Sequence, residues 1–135
     1  MSFEVFATHV HYLLAGSPSA HAEMLEKLSK SSDARVRARV AEHPMTPLRV
    51  LLLLVSDRSP DVRESVSYNP AVTGVLLHQL AEDTSADVRY ALAENLAIPY
   101  AVLNKLANDE NPYVAQRALK TLSRLEVGSA ELQAA

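Results

Sequence analysis

Apolar residues recur along this chain in two alternating patterns, and the whole arrangement repeats every 26 residues. Val10, Val36, Val62, Val88 and Val114 form one column; four steps on stand Leu14, Val40, Val66, Leu92 and Ala118. Each such pair is an i, i+4 stripe, the signature of one side of a helix. A denser cluster follows in each unit. It runs Met24, Val50, Leu76 and Val102, then Leu25, Leu51, Leu77 and Leu103, then Leu28, Leu54, Leu80 and Leu106, and it predicts a second helix. The prolines punctuate this pattern: Pro18, Pro44 and Pro70 share one column, Pro47 and Pro99 a second, Pro60 and Pro112 a third. The first helix starts after Ser59-Pro60-Asp61 or Asn111-Pro112, with Ser or Asn as N-cap and Pro at the first helical position. It stops before Pro44 or Pro70, because the residue before a proline is pushed out of the α region. The second helix starts near Thr46-Pro47, at Thr73 or beside Pro99.

Helices of two to three turns are not stable alone. Stacked units bury a continuous core, so the pattern predicts an all-α solenoid of about five 26-residue two-helix repeats, beginning near residues 5, 31, 57, 83 and 109. A single repeat domain is expected over residues 1–127. Phe3 to Ala15 read as one amphipathic helix with Phe3, Phe6, Val10, Leu13 and Leu14 on one side, a cap over the first interface. At the other end Thr121 and Leu122 replace the Asn-Pro break, so the last helix runs on to about Glu126. Gly128 is expected to end it, leaving residues 128–135 as a flexible tail.

Polar residues obey the same period. Asp57, Asp83 and Asp109 share a column, as do Arg37, Arg63 and Arg89. A catalytic group is needed once, whereas these recur in each unit, so they are expected to form a structural ladder of ion pairs tying each unit to the next. Ser31 replaces Asp in the first unit and Ala115 replaces Arg in the last, as suits ladder ends. His43, Asn69 and Asn95 form another column at a helix end, where Asn bonds nearby backbone groups.

The units Asp83-x4-Val88-Arg89-x2-Leu92-Ala93-Glu94-Asn95 and Asp57-x4-Val62-Arg63-x2-Val66-x2-Asn69-Pro70 resemble the leucine-rich repeat variant family of bacteria. So do Val36-Arg37-x2-Val40-Ala41-Glu42-His43-Pro44 and the Val-Leu-x2-Leu-Ala close of each unit, over roughly residues 8 to 124. The resemblance implies a right-handed superhelix of paired helices, one of them short or 3₁₀-like. The spacing from Asp57 to Arg63 and from Asp83 to Arg89 also looks like the Asp/Arg ladder of HEAT repeats. The founding member of the resembling family carries a cysteine-ligated iron–sulfur domain. This chain has no Cys, so that cofactor does not carry over.

Composition narrows the rest. The chain has 135 residues, 48% of them apolar and 21% charged, with a net charge of −3. Without Cys there is no disulfide scaffold, thiolate zinc site or cysteine nucleophile. The longest apolar run, Val50 to Val55, is far short of a membrane span, and the N-terminus lacks the basic flank of a signal peptide. A cytoplasmic protein is expected. His9 and His11 are two apart, hence on opposite sides of a helix, and His21, His43 and His78 fall in different columns, so no metal site is expected. No catalytic triad, glycine loop or other catalytic motif is present, so neither an enzyme nor a cofactor is expected.

Binding remains. In the second helix of each unit two positions between the core columns are polar, as in Glu26-Lys27, His78-Gln79 and Asn104-Lys105; in the second unit they are Leu52 and Leu53, with Leu48 one turn before Leu52. A leucine patch facing outward marks a contact with a protein or peptide partner or with a second copy of the chain; the competing reading tucks it under neighbouring side chains through superhelical twist. Tyr90 and Tyr12 share an outward column that extends such a surface. The alternative is a nucleic-acid-binding surface built from Arg35, Arg39, Arg117 and Lys120. Residues 21–50 carry six basic and four acidic groups, but residues 51–104 carry three basic and seven acidic ones. That interrupts a phosphate-tracking stripe, and no aromatic residues interleave with the arginines. The expectation is a non-enzymatic binding scaffold.

Overall fold

The computed structural model describes residues 2–134, and every regular element among them is a helix. In order these are α1 (Phe3–Ala15), α2 (Ala22–Leu28), α3 (Ala34–Glu42), α4 (Leu48–Leu54), α5 (Pro60–Ser67), α6 (Val75–Ala81), α7 (Ala86–Ala93), α8 (Tyr100–Ala107) and α9 (Pro112–Ala134). The helix boundaries follow from local chemistry. Ser59 precedes Pro60 at the start of α5, where the missing proline N–H leaves no gap in the helix. Asn111 Oδ1 accepts the N–H groups of Tyr113 and Val114 at the start of α9, at 3.0 and 3.3 Å. Asp33 caps α3 by accepting the Arg35 N–H at 2.8 Å. His43, next to Pro44, is extended (φ −69°, ψ 129°) and ends α3 as the proline demands. Before α6 the chain turns through Gly74 at φ +53°, ψ −119°, a conformation that only glycine adopts without strain. The second helices are short but α-helical: seven residues in α2, α4 and α6, eight in α8.

The chain groups into two compact units that divide between Val72 and Thr73. In the first unit α3 packs against both α1 and α5, with α2 and α4 on its flanks. Leu25, Val36, Val40, Leu51, Val62 and Val66 are fully buried there. In the second unit α9 packs on α7 and α8, and α6 packs on the same two helices. Its core holds Leu76, Leu80, Val88, Leu92, Leu103, Leu106, Val114 and Ala118.

Two end elements differ from the sequence expectation. Phe3, Phe6 and Leu13 of α1 are exposed and Val10 is half-buried, so the apolar side expected to cap the first interface largely faces out. The residue of α1 that is fully buried is Ala15. At the other end α9 runs on through Gly128 to Ala134 instead of stopping there; Ala135, the last residue of the expected tail, lies outside the described residues. Gly128 does not take a positive φ, and Ser129 Oγ donates to the Leu125 carbonyl at 2.9 Å. Extending an existing helix is cheap, and one interior glycine costs only about 1 kcal/mol.

Candidate functional site

The polar columns are joined by hydrogen bonds of recurring span. Arg37 Nε and Nη2 donate to the two carboxylate oxygens of Asp57 at 2.8 and 3.0 Å, while Nη1 donates to the Ser31 carbonyl at 2.8 Å. In the second unit Arg89 does the same: 2.7 and 3.0 Å to Asp109, and 2.6 Å to the Asp83 carbonyl. Both ion pairs are nearly shut off from solvent. Asp57 and Asp109 also accept the backbone N–H groups of Ser59 and Asn111, and Asp83 accepts that of Ser85. Arg63 Nη1 donates to the Asp57 carbonyl at 2.7 Å. Burial works to raise the Asp57 pKa, but the Arg37 hydrogen bond, the Ser59 amide and the attraction of Arg37 outweigh it and hold the carboxyl below its usual range. At Asp109 the Arg89 hydrogen bond leads, with the same downward result, and both guanidinium pKa values are raised in turn. Arg37, Arg89, Asp57 and Asp109 are thus each bonded both to a charged partner and to the backbone.

The His/Asn column is equally occupied. Asn69 Nδ2 donates to the Ala41 and His43 carbonyls at 2.8 and 2.9 Å, and its Oδ1 accepts the Ala71 N–H. His43 Nδ1 accepts the Met45 N–H at 3.0 Å, which places the proton on Nε2 to donate to the Ser17 carbonyl at 2.8 Å. Thr121, in the same column, sends its hydroxyl to the Ala93 carbonyl at 2.6 Å, spanning 28 residues as Asn69 does to Ala41.

The leucines face solvent. Leu48, Leu52 and Leu53 are 57%, 46% and 73% exposed on α4, while Val50, Leu51 and Leu54 of that helix are buried. Leu53 borders a hollow of about 230 Å³ that Glu26, Lys30 and Arg49 also line. Arg49 is tied there to Glu26 at 2.7 Å. Met45, also exposed, precedes the helix. In the second unit Tyr90 is exposed on α7. Tyr12, its column-mate, is half-buried, because the guanidinium of Arg39 lies over its ring at 4.4 Å.

Comparison with known protein families, curated proteins and solved structures finds no match to this chain.

The four basic residues are differently placed. Arg35 is exposed but bonded to Asp33 at 2.8 Å, and that contact holds the Asp33 pKa down. Arg117 stands 3.7 Å from Glu94, and Lys120 is exposed on α9. Arg39, like Lys120, has neither a carboxylate partner nor a hydrogen bond among the described residues, but unlike Lys120 it is partly enclosed, with its Nε buried. It lines an open cleft of about 1240 Å³ between α1 and α3, together with Tyr12, Arg35, Glu42, His9 and His11. Both histidines reach this cleft although the sequence places them on opposite sides of a helix, since the opening wraps around α1. Sequence reasoning singled out Arg39 for its charge and missed its stacking on Tyr12. No helix of the described residues is long and apolar enough to cross a membrane.

Proposed function

We propose that this chain is a non-enzymatic, cytoplasmic binding scaffold: a right-handed solenoid of five 26-residue units of the bacterial leucine-rich repeat variant type, offering its surface to a protein or peptide partner. Two kinds of observation support the solenoid. Hydrogen bonds recur at spans of 20 and 28 residues, and the residues that make them stand at multiples of 26 from one another. The observation that carries the binding role is the outward trio Leu48, Leu52 and Leu53. Large apolar side chains are held in water there by a helix whose other side is fully packed, and exposed apolar clusters of this kind mark contacts. Self-association through the same leucines is the variant of this reading. A nucleic-acid role draws less support, because Arg35 and Arg117 each stand beside a carboxylate.

Affinity capture from native extract, with wild-type and Leu53→Lys chains as paired baits, tests the proposal. A partner, or a second copy of the chain, retained by the wild type and lost from the variant is expected. The same proteins on both baits would overturn it.

A further inference from the structure

Arg39 and Arg117 stand three periods apart, and each meets the residue 23 positions before it. Arg117 meets Glu94, and Ser65 of the same column donates to Glu42 at 3.1 Å across the same span. At Arg39 the acid is missing: the residue there is Gly16. Gly16 sits at φ −95°, ψ −1°, which any residue adopts, so its backbone does not call for glycine. The guanidinium is what fills the space, because a Cβ on Gly16 would lie 2.5 Å from Arg39 Nη2 and 2.8 Å from Cζ and would push it from its seat. The cation is thus held between the Tyr12 ring and the Gly16 backbone. It is seated in a specific place, lines a cleft, and has no counter-ion among the described residues.

We propose that the cleft between α1 and α3 binds a peptide segment through the carboxylate of an Asp or Glu side chain seated on Arg39. A guanidinium offers the planar fork that a carboxylate fits. The cleft, at about 1240 Å³, exceeds the roughly 300–1,000 Å³ of small-molecule pockets and suits several residues of chain. Its other charges favour a single carboxylate over a phosphate-rich ligand. Arg35 is already neutralised by Asp33, and Glu4 and Glu42 on the walls repel a polyanion while accepting peptide N–H groups. This inference rests on the peptide-binding reading above but uses a different surface from the leucines of α4.

Selection from a displayed library of random dodecapeptides tests it, run in parallel against wild type, Arg39→Gln and Gly16→Ala, with circular dichroism confirming that each is folded. Gly16→Ala keeps every charge and displaces only the far end of a flexible side chain. The expected result is a set of peptides with one fixed acidic position. Their affinity falls about tenfold or more on Arg39→Gln and on Gly16→Ala, and on replacing the acid by its amide, as loss of a charge-assisted hydrogen bond implies. Selected peptides without a fixed acid, or binding all three chains alike, would overturn the Arg39 site while leaving the scaffold reading in place. Failure to select any peptide on the wild type would overturn the site as well, and the scaffold reading would then rest on capture of a folded partner through Leu53. Selection that inorganic phosphate abolishes at equal strength with amide-substituted peptides would assign the cleft to phosphate instead.

Discussion

Arg37 and Asp57 are twenty residues apart in sequence and joined by two parallel hydrogen bonds of 2.8 and 3.0 Å, in a pocket where neither side chain is more than a tenth exposed. Arg89 and Asp109 repeat the arrangement 52 residues further on. Such a pair ties the side of one helix to the turn that starts another: α3 to the turn before α5, and α7 to the turn before α9. Breaking it by Arg37→Ala leaves a desolvated carboxylate, and urea unfolding should show a loss of about 3–5 kcal/mol. Replacing both partners with apolar residues should recover much of that loss.

The same carboxyls contribute to the acid sensitivity of the fold. Asp57 and Asp109 have folded-state pKa values below those of the unfolded chain, so their contribution is fully present above about pH 4. It is lost as pH falls through the lower folded-state values, because the unfolded chain then binds more protons. Acid titration followed by circular dichroism should show this decline in the wild type, and a flatter one in Asp57→Asn that starts from a lower stability.

Asn69 and Thr121 satisfy buried carbonyls that have no helical partner. Asn69→Leu strands the Ala41 carbonyl and also removes one bond from the His43 carbonyl, which keeps the Thr46 N–H, and one from the Ala71 N–H; Thr121→Val strands the Ala93 carbonyl alone. A buried acceptor left unpaired costs about 1–3 kcal/mol in either variant, and the further bonds lost with Asn69 about 0.5–1.5 kcal/mol each, so thermal unfolding should show the Asn69 variant to be the more damaged of the two.

Leu51 and Leu53 separate stability from surface. Leu51 is fully buried, and Leu51→Ala should cost about 2–5 kcal/mol in chemical denaturation. Leu53→Lys, at a site 73% exposed, should change stability by no more than about 0.5 kcal/mol.

Gly128 lies inside α9 with open space around the place of a Cβ. Gly128→Ala should therefore raise helical ellipticity at the C-terminus by removing a helix penalty of about 1 kcal/mol. An unchanged signal would mean that the helix does not extend past Gly128 in solution.

Much of the architecture was legible because helix starts and stops are written in local chemistry. Ser59-Pro60, Asn111-Pro112 and the residues before Pro44 and Pro70 mark ends that the structure places within a residue or two. The ends of the chain were harder to read. A glycine can end a helix or sit within one, and at Gly128 only the backbone shows which. The apolar side of α1 is as clear in sequence as that of α3, yet periodicity does not tell whether a neighbour covers it, and Phe3 and Phe6 stay exposed. The Arg39 cradle was the least legible feature. Its signal is an absence, Gly16 where Glu42 and Glu94 stand in other units, and that absence has meaning only once residues 23 apart are known to meet.

The central claim, that 26 residues make one interchangeable structural unit, is tested most directly by deletion. Removing residues 57–82 takes out one whole period and places Asp83 twenty residues after Arg37, and Asn95 twenty-six after His43, restoring both spans. A solenoid predicts that this shortened chain folds with one cooperative urea transition, whereas deleting residues 57–80, which shifts every later side chain by two positions, abolishes it. Unfolding of both chains, or equal stability of both, would contradict the account.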